Sequence, residues 1–96
     1  MNKFGEKVRK LREDNNMLLR HLAAKLDIDS AQLSKIERGE RRAQREQVIM
    51  IAEILSTDRE ELLSLWLAAK VYDIVKDEHF AKSAINEVSK NLKSKK

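Results

Sequence analysis

Apolar residues recur along this chain at helical spacing. Phe4, Val8 and Leu11 fall at i, i+4 and i+7, which predicts a first helix over Lys3–Asp14. Asn15-Asn16 ends it, because a short amide side chain competes with the backbone for its hydrogen bonds. A second helix is expected from Met17 to Leu19 onward, running to Leu26. Asp27-Ile28-Asp29 interrupts the period, and Leu33 and Ile36 resume it until Gly39, a residue able to take the left-handed conformation that closes a helix. Asp29 is placed to cap this third helix, with Gln32 bonding back to the cap. The stretch Leu22 to Gly39 therefore predicts two short helices pinned by a tight polar turn, the outline of a helix-turn-helix.

Farther along, a helix from about Gln44 to Leu55 carries Val48, Ile51, Ala52 and Leu55 on one face, widened by Ile49, Met50 and Ile54, so it belongs at the centre of the core. Ser56-Thr57-Asp58 ends it, and Asp58 with Glu61 predicts a capping box for the next helix, Arg59 to about Lys76. That helix is apolar nearly all round, from Leu62, Leu63, Leu65 and Trp66 to Val71, Ile74 and Val75. One small domain covers one side of such a helix, so its second face is expected to meet another subunit. Leu62 and Leu65 are assigned to the core, and Trp66, Leu67, Val71 and Ile74 to a homodimer interface. A final stripe of Phe80, Ala81, Ala84, Ile85, Val88 and Leu92 extends that interface, with Phe80 and Ile85 as its contacts, before a frayed NLKSKK end.

Composition narrows the class. With 96 residues, no Pro, two Gly and 38% charged residues, the chain fits one all-α domain with a modest core and a heavily charged surface. Its organisation is expected as a first unit over residues 1–63 and a C-terminal helical extension over 64–96, part of the same compact body. The absence of Cys excludes disulfides and thiolate-bound metals. No apolar run reaches membrane-spanning length and the start lacks a secretory pattern, so the expected location is cytoplasmic, with no membrane partner. The net charge of +4 permits a polyanion partner. Its excess gathers at Arg38, Arg41, Arg42 and Arg45 and in the Lys90, Lys93, Lys95 and Lys96 tail.

Candidate chemistry is that of binding. No Ser/His/Asp arrangement, phosphate-cradling Gly loop or carboxylate pocket is visible, and Glu60-Glu61 and Asp77-Glu78 fit helix starts, so no catalytic residue, cofactor, metal site or small-molecule ligand is assigned. His21 stands alone, with no metal-spaced neighbours, and is taken as surface. Arg12 falls on or beside the apolar stripe of the first helix and needs a partner if the fold buries it. Arg20 is a solvent-side candidate for a phosphate. The third helix turns Ser30, Ala31, Gln32, Ser34 and Lys35 outward from its first turns.

With Arg12, Leu22-Ala23, Leu33-Ser34-Lys35-Ile36 and Glu37-Arg38-Gly39 in view, the chain resembles the lambda-repressor and Cro-like helix-turn-helix regulators, the Xre family, over about Phe4 to Leu63. The resemblance implies a five-helix repressor-like domain, here extended by a C-terminal dimerisation segment, whose homodimers bind pseudo-palindromic operators in double-stranded DNA with the second motif helix, about 30–38, in the major groove. It implies base-reading positions at Ser30, Ala31, Gln32, Ser34 and Lys35, phosphate contacts at Arg38 and the loop after it, and a buried pair between Arg12 and Glu37. The chain departs from the family pattern at Leu18-Leu19, where a polar cap and Gln are usual, at Asp27 in place of Gly, and at Ala43-Gln44 in place of a Pro. Controller proteins of restriction-modification systems and phage-type regulators both belong to this broad group.

Side-chain chemistry supports a DNA partner beside the resemblance. Gln32 can pair bidentately with adenine, Lys35 can donate to guanine, and Ala31 can touch a thymine methyl. Arg41, Arg42 and Arg45 can approach the backbone or a minor groove, adding salt-dependent affinity without sequence information. The alternative is an antitoxin-like or adaptor module that grips a different protein through its Arg59 to Val75 helix.

Overall fold

A computed structural model describes residues 2–95, so Lys96 of the basic tail lies outside the described residues. Six helices follow in order: α1 Lys3–Asp14, α2 Leu19–Lys25, α3 Ser30–Glu37, α4 Arg45–Ile54, α5 Arg59–Val75 and α6 Ala81–Ser94, with no strand among the described residues. The fold is all-α. None of these helices is long and apolar enough to cross a membrane.

The helix ends follow local chemistry. Asn15 follows α1, and Asn16 takes a positive φ of 55°. Asp27 turns the chain between α2 and α3 at φ 57°, a left-handed conformation costly for a residue with a Cβ but one that Asp tolerates better than most. Asp29 caps α3 by accepting the Gln32 N–H at 2.7 Å, while the expected return bond from the Gln32 side chain is not formed. Gly39 follows α3 at φ 78°. The Asp58 cap also differs from the expected box, because its carboxylate accepts from the Glu60 N–H at 3.3 Å. Glu60 and Glu61 sit in the first turn of α5, whereas Asp77 and Glu78 fall in the turn before α6. Leu18 has no acceptor to cap α2, and the Nδ1 of His21 takes the Leu18 N–H instead, at 3.4 Å.

One core joins the first five helices. Val8, Leu22, Leu33, Val48, Ile51 and Leu62 are fully enclosed, with Phe4, Ile36, Leu55 and Trp66 around them. α1 packs on α3 and α5, α2 on α3, and α4 on α5. Lys7 and Glu61 tie α1 to α5 at the surface, 3.2 Å apart. Gly5 marks the closest approach of α1 to α3, since a Cβ there would collide with the main-chain oxygens of Glu37 and Ile36.

The outer half of α5 and all of α6 are different. Leu67, Val71, Tyr72 and Ile74 are exposed, and α6 buries no residue. Leu67, Ala68, Val71, Tyr72 and Val75 line a shallow apolar groove that Ile85 of α6 closes at one side. Trp66 corrects the expectation made from the apolar belt. It points into the protomer, only 6% exposed, because its indole N–H finds an acceptor there in the Ala43 carbonyl at 2.8 Å.

Candidate nucleic-acid interface

The α2–α3 pair is fixed from the inside. Leu22, Ala23 and Leu26 of the first partner and Leu33 and Ile36 of the second are buried together, so the opposite side of α3 is left to solvent. Ala31 and Lys35 are exposed on it, and Ser30, Gln32 and Ser34 are half-buried. All five share the short helix whose N-terminus Asp29 caps. The side chains of Ser30, Gln32, Ser34 and Lys35 carry no hydrogen bond to another described residue, which leaves them available to an external partner.

A buried ion pair sets the tilt of α3 against α1. Arg12 Nε donates to Glu37 Oε2 at 2.8 Å and Nη2 to Oε1 at 3.1 Å, the bidentate match of a planar guanidinium with a carboxylate. A third donor, Nη1, reaches the Met17 carbonyl at 2.9 Å, so one side chain holds α1, the entry to α2 and the end of α3. Hydrogen bonding to Glu37 raises the Arg12 pKa, with burial opposing it, and the guanidinium stays charged at any working pH. Asn2 adds a brace by donating from Nδ2 to the Glu37 main-chain oxygen at 2.8 Å.

Beside α3 lies a basic surface. Arg20 is exposed on α2, and Arg38, Arg41, Arg42 and Arg45 are exposed on the stretch from the end of α3 to the start of α4. Arg38 turns toward Glu40, with Nε 2.9 Å from Oε2. Arg42 reaches across to Asp73 on α5 at 2.6 Å, and Arg45 lies over the Trp66 ring, its Cζ 5.2 Å from the centroid. Arg41 makes no ion pair among the described residues. Four of the five basic residues expected at phosphates thus follow the end of α3, two of them held by α5, while Arg20 stands on α2. Those holds, and the Asn2 brace, were not anticipated from the sequence.

A family model described as a helix-turn-helix domain matches residues 3–65. The chain belongs to the helix-turn-helix domain family. Membership implies a DNA partner and a regulator's role, and it covers α1 to α4 and the first part of α5. The family is typically non-enzymatic. No curated protein and no solved structure matches the chain. Trp66 to Lys95 lie beyond the matched residues.

Proposed function

We propose that the chain is a sequence-specific regulator of transcription, similar to the Xre group, that binds double-stranded DNA as a homodimer on a pseudo-palindromic operator. The observation that carries this proposal is the two-sidedness of α3. Leu33, Ile36 and Glu37 are spent on the core while Ala31 and Lys35 are exposed and Gln32 is half-buried beside them, with exposed arginines at the helix end. An α-helix so presented fits the major groove. Gln32 matches adenine, Lys35 guanine and Ala31 the thymine methyl, with Ser30 and Ser34 as adaptable neighbours. Arg20 and Arg41, which make no ion pair among the described residues, are the proposed phosphate contacts, which fix register without reading sequence.

Dimerisation is supported by the apolar groove of α5 and the uncovered stripe of α6. Leu67, Val71 and Ile74 follow one another at three- and four-residue spacing, as do Ala81, Ile85, Val88 and Leu92, the spacing of helices that pack along their length. Leu67, Val71, Ile74, Phe80 and Ile85 form the proposed interface, and Trp66 no longer belongs to it. The same face favours the adaptor alternative if it grips a different protein. Selection of bound sites from random duplexes distinguishes them: a two-fold-related site supports the regulator, and no enrichment above random sequence rejects it.

A further inference from the structure

The part of α5 beyond the matched family residues takes hold of the loop that follows α3. Trp66 donates its indole N–H to the Ala43 oxygen at 2.8 Å, and its ring carries Arg45 and also Lys70, whose Nζ lies 4.0 Å from the centroid. Two turns beyond Trp66, Asp73 accepts from Arg42 Nη2 at 2.6 Å. Asp73 Oδ1 also lies 3.9 Å from Lys76, on its own side of the helix. Arg41, Arg42 and Asp73 line one cleft between the loop and α5. Both members of the Arg42–Asp73 pair remain about half exposed, at 47% and 50%. A pair this open contributes little to stability, so the burial of Trp66 holds the loop's fold while Asp73 decides where one positive charge points.

That charge matters because non-specific binding is assembled almost wholly from phosphate contacts, each of which releases counterions. An arginine neutralised by a neighbouring carboxylate releases fewer. We infer that Asp73 is a positioning residue that tunes backbone affinity: it withholds Arg42 from the DNA backbone, leaving Arg41 as the loop's free phosphate contact and keeping affinity for random sequence low. Asp73 touches no DNA and acts through Arg42. The inference rests on the DNA-binding proposal above.

The test is binding of the full chain to a fluorescent random-sequence duplex across a salt series. Asp73→Asn should steepen the slope of log affinity against log salt by about 0.9, the value for one added phosphate contact. Asp77→Asn makes the same charge change in the turn after α5 and should not steepen it. Arg42→Gln alone should leave the slope as in wild type, and Asp73→Asn with Arg42→Gln should return to the wild-type slope. Flattening by Arg42→Gln alone would mean that Arg42 meets phosphate while paired, and would overturn the inference. So would an unchanged slope in Asp73→Asn, or a gain that survives in the double variant. Wild-type protein with no affinity for any duplex rejects the DNA-binding proposal itself, whereas wild-type binding with these variant results reversed rejects only the role of Asp73.

Discussion

Leu62 and Ile74 lie on the same helix, yet Leu62 is fully enclosed and Ile74 is 75% exposed. The difference separates two regions built on different terms. Up to Trp66 most apolar positions find partners within the chain, Leu18 and Met50 excepted, and the one buried charged residue among the described residues, Glu37, meets Arg12 in a bidentate pair. Beyond it, Leu67 and Ile74 of α5, Phe80 in the turn, and Val88 and Leu92 of α6 are left in solvent. A helix in an isolated chain gains most of its stability from burying its apolar face. The first region therefore closes its core within the chain, with Trp66 completing it, while the second leaves apolar surface uncovered.

Breaking the first region should have the largest effect. Arg12→Ala or Glu37→Ala leaves the other charge stranded in a nearly closed site and should cost about 3–5 kcal/mol, read from denaturant melts. Wild-type stability in either variant would mean that the pair does not hold α1 to α3. In the second region, Leu67→Glu with Ile74→Glu should leave that module folded but monomeric in sedimentation, with operator affinity lower by about 10²-fold or more because two linked sites become one. An unchanged sedimentation coefficient would remove this face from the interface.

Gly5→Ala sharpens the contrast inside the module. The added methyl meets main-chain oxygens of Glu37 and Ile36, which cannot move aside as a flexible side chain would, so a loss of about 1–3 kcal/mol is expected from thermal melts. Gln32→Ala and Lys35→Ala should leave those melts unchanged and weaken the preferred duplex alone, by about 1–3 kcal/mol for a lost bidentate contact. Equal weakening on random duplex would show that the residue does not read bases.

Much of the module was legible because its signals are local. Phe4, Val8 and Leu11 with Asn15-Asn16 predict α1 at the observed Lys3–Asp14, and Asp29 capping with Leu33 and Ile36 inward fixes which side of α3 faces out. Trp66 was misplaced because α5 is apolar nearly all round, so periodicity alone could not say which stripe turns inward; the deciding partner, the Ala43 oxygen, lies far away in sequence. Asp73 was missed for the same reason, since no spacing rule links it to Arg42. Gly5 left a readable trace. A glycine inside an otherwise favourable helix costs helix stability and so signals a close backbone approach, which is what α3 makes there. Ser56, at φ 52°, offered no comparable signal.

Two copies of α3 are proposed to read duplex DNA as a symmetric pair, and half-site spacing tests this most directly. Affinity should be measured on duplexes carrying two copies of the selected half-site at stepped separations. It should peak where the half-site centres lie about one helical turn apart, ~34–36 Å, and fall when about half a turn is inserted, because that insertion rotates one half-site to the opposite side of the duplex. Affinity indifferent to spacing, with a lone half-site bound as tightly as the pair, would contradict it.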